Sequence, residues 1–151
     1  MTNSDVQLRK VKRVAGRNGT EKLIVNYDRI VDDEDTDSFS LRSSDPAHPG
    51  LYLAMDALKS YVLKTCQVGD SWDEQEMEIP EVAFSYKDGR FAAQIAVKQR
   101  LDNFVLSFKL PKRRSFAEDD NCSFDPDTER VLRRLMQECE RYINGDRPSP
   151  L

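Results

Sequence analysis

The sequence has few of the residues that commonly bind metals or act as nucleophiles. Only three cysteines and one histidine, His48, occur among its 151 residues. The cysteines are widely spaced and form no Cys-x-x-Cys pair, so a zinc site is not expected. Cys66 and Cys139 fall on the apolar stripes of predicted helices, where a reduced thiol packs as a small core residue. We therefore expect free thiols, no metal and no cofactor.

Long apolar runs are absent too. No run approaches the roughly 20 residues that a transmembrane helix needs. The N-terminal segment MTNSDVQLRKVKRV lacks the apolar stretch of a signal peptide. These absences predict a soluble, cytoplasmic protein with no membrane partner.

Motifs of the common enzyme classes are also missing. The sequence has no P-loop, no Gly-x-Ser-x-Gly, no His-Glu-x-x-His and no Rossmann fingerprint. Carboxylates are plentiful, but they cluster in polar segments without a fixed spacing. We predict no catalytic residues and no enzymatic activity.

Charge is distributed unevenly along the chain, whose net charge is −4. Residues 1–22 contain six Lys or Arg and two acidic residues. Residues 85–114 contain eight Lys or Arg and two acidic residues. Acidic residues collect instead in 32–37, 70–81 and 118–129. The sequence therefore predicts a basic sheet region and acidic loops, which the net charge alone conceals.

The first half predicts three strands followed by a helix. Alternating apolar and polar residues, together with β-branched residues, favour strands at 5–14, 22–31 and 38–42. A turn in GRNG at 16–19 joins the first two strands. Apolar residues then recur every three or four positions, which predicts an amphipathic helix over 49–67.

Two hairpin turns organise the second half. Asp88-Gly89 is typical of a two-residue type I′ turn, and it pairs Val82 with Ile95. A second turn at Asp102-Asn103 keeps the apolar side chains of the next strand on the same face. The predicted inner face continues through Val97, Phe104, Leu106, Phe108 and Leu110.

A closing helix and the overall element order define the fold class. The sequence predicts a second helix over 126–144. Asp125 suits its N-cap, Pro126 suits its first turn, and Gly145 is a typical residue at which such a helix ends. The order β-β-β-α-β-β-β-α predicts an α+β fold, an antiparallel sheet of about five to six strands with two helices packed on one face. Residues 1–147 are expected to form one domain, and 148–151 a flexible tail.

The face opposite the predicted core is basic. Lysine provides a point charge and arginine a bidentate fork, and both suit phosphates. The alternative is an ordinary solvated face, kept soluble and protected from edge pairing by lysine. The candidate ligand-binding residues are Arg90, Gln94, Lys98, Arg100, Ser107, Lys109, Lys112, Arg113 and Arg114.

Three segments carry a resemblance to a known family. PGLYLAMDALKSYVLKTCQV, IPEVAFSYKDGRFAAQIAVKQRLDNFVLSFKLP and LRRLMQECERYINGDR resemble a group of small proteins of tailed phages and prophages. The resemblance covers most residues from 38 to 147. This chain has KLPKRR where those proteins often have LNTPHL. The resemblance implies a phage accessory protein in an infected bacterial cell, without assigned catalytic residues.

Three binding functions remain open at this point. The first is capture of an anionic small molecule, such as a nucleotide immune signal, by an oligomeric protein that thereby blunts host defence. The second is binding of single-stranded nucleic acid as an accessory of phage recombination. The third is inhibition of a host defence protein through the acidic loops or Trp72. A homo-oligomer is expected for the first of these.

Overall fold

Strands dominate the structure. The computed structural model describes residues 6–15, 21–32, 35–68 and 71–149. The strands are β1 (Val6–Ala15), β2 (Glu21–Ile30), β3 (Thr36–Ser43), β4 (Met77–Lys87), β5 (Arg90–Arg100), β6 (Val105–Lys109) and β7 (Arg113–Arg114). The helices are α1 (Pro49–Ala57), α2 (Lys59–Cys66) and α3 (Pro126–Ile143).

The strands form one antiparallel sheet with the order β3-β2-β1-β4-β5-β6. Each half of the chain contributes three consecutive strands, and β1 and β4 join the halves at the centre. The short strand β7 pairs with β5 beyond the end of β6. The predicted α+β fold, with its element order and its helices beside an antiparallel sheet, is confirmed.

Both predicted turns of the second half are present. Asp88 and Gly89 have φ angles of 53° and 76°, the positive values that a type I′ turn requires. The second hairpin closes where the amide of Leu101 donates to the carbonyl of Phe104 at 2.8 Å. The register predicted for both hairpins is confirmed, since Val82 pairs with Ile95 and Val97 with Phe108.

The core lies between the helices and one face of the sheet. α1 and α3 pack against each other, and the helices contact the central strands β1 and β4. Asp125 caps α3 by accepting a hydrogen bond from the amide of Thr128, as predicted. The buried side of α3 consists of Thr128, Leu132, Leu135, Cys139 and Tyr142. No described helix is long and apolar enough to cross a membrane.

Two details differ from the sequence expectations. The predicted helix over 49–67 is divided at Leu58, between α1 and α2. Phe104 and Leu106, predicted to face the core, are 59% and 37% exposed. They are exposed because β6 is the outermost strand and the helices pack over the centre of the sheet. The predicted turn at 16–19 and the last two residues of the predicted tail lie outside the described residues.

The β4–β5 turn provides a test of the register. Gly89→Ala should lower the free energy of unfolding by about 1–2 kcal/mol, because an L side chain is strained at this positive φ angle. Asp88→Asn is the control, since asparagine tolerates the left-handed region and should change stability little. Urea denaturation of the two variants measures both effects. Equal stability of the Gly89→Ala variant and the natural protein would contradict the turn.

Candidate functional site

The sheet face opposite the helices, called the open face below, is strongly basic. Its side chains alternate with the buried residues Val11, Val25, Val82 and Ile95 and so point away from the core. Ten cations lie on strand positions of this face: Lys10, Lys12, Lys22, Arg42, Lys87, Arg90, Lys98, Arg100, Lys109 and Arg114. Only three acids share these positions in the described strands: Asp28, Glu78 and Glu81.

Strand pairing arranges the open face in rows. One row crosses the six strands from β3 to β6 in their order across the sheet. It consists of Arg42, Ile24, Lys12, Glu81, Ala96 and Lys109. Small side chains between the long bases leave their charged ends accessible: Ala83, Ser85, Ala92 and Ala96. Cations from distant parts of the sequence therefore lie on one surface.

Glu81 occupies the centre of the open face between two lysines. Its carboxylate lies 3.8 Å from the ammonium of Lys10 and 3.8 Å from that of Lys109. The side chain of Glu81 is only 13% exposed, whereas that of Lys109 is 60% exposed. One carboxylate thus balances only one of two cations, and the centre of the face stays positive.

Asp120 holds two of the predicted binding residues in place. Its carboxylate accepts from Arg90 at 3.2 Å, and from Arg114 at 2.9 Å and 3.1 Å. It also accepts from the backbone amide of Cys122 at 2.9 Å. This amide, together with the two guanidinium groups, holds the pKa of Asp120 below its usual value. Arg90 and Arg114 therefore anchor the loop after β7 and are less available to a ligand.

Arg113 lies on the other side of the sheet from Arg114. It pairs with Ala93, which is buried under the helices, whereas Arg114 pairs with Ala92 on the open face. Arg113 lines a cavity of about 490 Å³ together with Lys64 and Phe116. The sequence grouped Lys112, Arg113 and Arg114 as one basic cluster, and the structure divides that cluster between two faces.

The remaining predicted residues have different environments. Gln94 donates to the carbonyl of Leu110 at 3.2 Å and so fixes the chain that leaves β6. Arg100 lies 3.6 Å from Glu76 in an exposed ion pair. Lys98, Ser107 and Lys112 are exposed and make no ion pair with a described residue.

Lys98 and Lys109 lie together on the open face, as the predicted register requires. Lys98 pairs with Ser107 and Lys109 with Ala96 in neighbouring positions of β5 and β6. The structure therefore brings together Lys98, Ser107 and Lys109 as an accessible part of the predicted site.

Four basic residues of the open face were not assigned to that face from the sequence, although three of them belong to the predicted basic segment 1–22: Lys10, Lys12, Lys22 and Arg42. A β-bulge between Leu8 and Lys10 interrupts the alternation of β1, so that the buried residues Leu8 and Val11 are three positions apart. After the bulge, β1 alternates again, with the side chain of Val11 buried and that of Lys12 on the open face. This alternation is the sequence signal that could have placed the bases of β1 on the open face.

Comparison of the chain with protein-family models, with curated proteins and with solved structures finds no match in any of the three. In the described part of the chain, no group of three His, Cys, Asp or Glu side chains is placed to hold a metal ion. The geometry of the open face is thus the main guide to function.

The lowered pKa of Asp120 predicts how stability depends on pH. The Asp120 interactions should stabilise the fold above the unfolded-state pKa of about 4, and this contribution should be lost as the pH falls through the lower folded-state pKa. In thermal melts, Asp120→Asn should be less stable than the natural protein by a constant amount from about pH 8 to 5, and the difference should shrink below about pH 4.

Asp119→Asn is the matched control for this titration, because it removes an exposed neighbouring carboxylate. Its melting temperature should follow that of the natural protein at every pH. A stability difference for Asp120→Asn that persists unchanged to pH 2 would contradict the assigned role of Asp120.

Proposed function

We propose that the protein is a non-catalytic binder of anionic ligands, and that its open face holds the phosphates of an extended nucleic acid. The observation that carries this proposal is the excess of cations on a sheet face that no described helix covers. Its strand positions hold ten cations and three acids, and two further acids, Asp120 and Glu76, pair with Arg90, Arg114 and Arg100 from outside the strands. The chain as a whole has a net charge of −4, so this concentration of positive charge is local.

The extent of the open face favours a polymer over a single nucleotide. Six strands spaced about 4.8 Å apart give a surface about 24 Å wide, and duplex DNA carries one negative charge per about 1.7 Å of its axis. The cations Arg42, Lys12 and Lys109 lie in one row across that width. Such a row can contact several phosphates along one ligand.

The chemistry of the open face favours backbone contacts over base stacking. No aromatic side chain occupies an open-face position in the described strands. The six strand aromatics all share the helix-covered face: Tyr27, Phe39, Phe84, Tyr86, Phe91 and Phe108. Stacking on aromatic rings is the usual way to hold unpaired bases. We therefore expect salt-dependent binding of duplexes with little sequence preference.

A second candidate ligand is an anionic small molecule, such as a nucleotide immune signal. The cavity beside Arg113 carries this candidate, because its lining includes two cations, Arg113 and Lys64, and the exposed ring of Phe116. The carboxylates of Glu118, Asp120 and Asp125 also line the cavity, so it is mixed in charge and less basic than the open face. Arg113 is half-buried and forms no ion pair with any described residue. For this candidate, the Arg113 guanidinium would bind a phosphate and Phe116 would stack on a base.

Inhibition of a host protein through Trp72 has less structural support. The indole is half-buried and packs on Phe108 with ring centroids 5.6 Å apart. This contact gives Trp72 a packing role beneath the edge of the sheet.

Paired lysine substitutions test the open face. The double variant Lys12→Gln/Lys98→Gln should bind a fluorescent 20-base-pair duplex more weakly, and the slope of log K against log salt should fall by about two. Neither lysine forms an ion pair with a described residue, so the fold should be unaffected. Fluorescence anisotropy over a salt series measures both quantities.

Lys64→Gln is the matched control, because it removes one positive charge from the helix side of the molecule. It should leave duplex affinity unchanged. The open-face proposal would be contradicted by duplex binding that does not depend on salt. An equal loss of duplex affinity in the control and in the double variant would also contradict it.

The cavity candidate has a separate test. If a cyclic dinucleotide or an ADP-ribose derivative occupies the cavity, it should raise the melting temperature of the natural protein and of Lys98→Gln. Arg113→Gln should abolish the shift because it removes the half-buried guanidinium. The absence of a thermal shift and of a retained adduct in native mass spectrometry would rule out this candidate for the compounds tested.

A further inference from the structure

The chain is apolar and exposed where it enters the edge strand β6. Phe104, Val105 and Leu106 are consecutive, and they are 59%, 47% and 37% exposed. Unprotected apolar edges pair readily with other strands, which is why most proteins shield them. On the opposite edge strand, β3, Phe39 is the only large exposed apolar residue, and its ring stacks on Tyr27 with centroids 5.3 Å apart.

The main-chain groups along this edge alternate in direction. Phe104 accepts from Leu101, and Leu110 donates to Ile95, so the polar groups of these two residues point toward the β5 side. In an antiparallel ladder successive residues point alternately toward and away from the partner strand. Val105, Ser107 and Lys109 therefore direct their N–H and C=O groups outward, away from β5.

The sequence of β6 is complementary to itself in the antiparallel direction. Centring two copies on Ser107 pairs Val105 with Lys109 of the partner subunit and Leu106 with Phe108 of the partner subunit. Leu106 and Phe108 lie on the helix-covered side, where they extend the apolar surface around Trp72. The two Lys109 residues would be about 14 Å apart, because four residues of a strand separate their positions. No like charges oppose each other in this register.

We propose that β6 pairs with β6 of a second copy of this chain around a two-fold axis at Ser107. The outward groups of Val105, Ser107 and Lys109 supply about six main-chain hydrogen bonds. This pairing joins the two seven-stranded sheets, so that the open faces of both copies form one continuous basic surface. The proposal does not depend on the ligand of that surface.

The size of the interface sets the expected strength of the dimer. A ladder of five residues buries much less surface than the roughly 800 Å² that each partner buries in a standard interface. The dimer should therefore form at high protein concentration and dissociate on dilution.

Proline substitution at the axis tests the pairing. Ser107→Pro removes an outward N–H and places the ring against the partner strand, but it leaves the hydrogen bonds to β5 intact. It should raise the dissociation constant of the dimer by about tenfold or more in sedimentation equilibrium. Ser107→Ala is the control and should dimerise like the natural protein. A natural protein that stays monomeric at all concentrations, or a Ser107→Pro variant that dimerises normally, would overturn the proposal.

A pair of charge variants tests the register even if the proline variant does not fold. Val105→Glu should strengthen the dimer, because the new carboxylate lies opposite Lys109 of the partner subunit. Val105→Lys should weaken it through repulsion by the same ammonium group. The opposite signs of these two effects support the two-fold axis at Ser107. The proposed register would be overturned if both variants changed the dissociation constant of the dimer equally, or if Val105→Lys strengthened the dimer and Val105→Glu weakened it.

Discussion

The fold and the candidate site both depend on the antiparallel register between β4 and β5. The turn at Asp88 and Gly89 fixes which residues pair, and alternation then determines the direction of every side chain in the two strands. A shift by one residue would bury Lys98 and expose Ile95. Because burying an unpaired ammonium is costly, the hydrophobic pattern and the charge pattern select the same register.

The same register makes the two sides of the sheet chemically different. One side packs against α1 and α3 through fully buried residues such as Val82 and Leu132. The other side collects cations from all seven strands, and its acids are few and largely flanked by bases. The chain's acidic residues lie mostly in loops and helices. A slightly acidic protein can therefore present one strongly basic surface without a specialised motif.

Local signals predicted much more of the structure than long-range ones. Asp88-Gly89, Asp102-Asn103 and Asp125 define turns and a helix cap through short-range chemistry, and all three are present. The pairing of β1 with β4 has no local signal, so the sequence did not place the bases of β1 and β2 on the same face as those of β5. Arg113 and Arg114 were grouped by proximity, but the strand β7 turns adjacent side chains to opposite faces.

Chemical footprinting of lysines with and without a duplex tests the central claim most directly. The account predicts that Lys12, Lys98 and Lys109 become protected from acetylation together, while Lys64 reacts at an unchanged rate. Protection of Lys64 with continued labelling of the three open-face lysines would contradict it, because a ligand on the open face cannot shield the helix side alone.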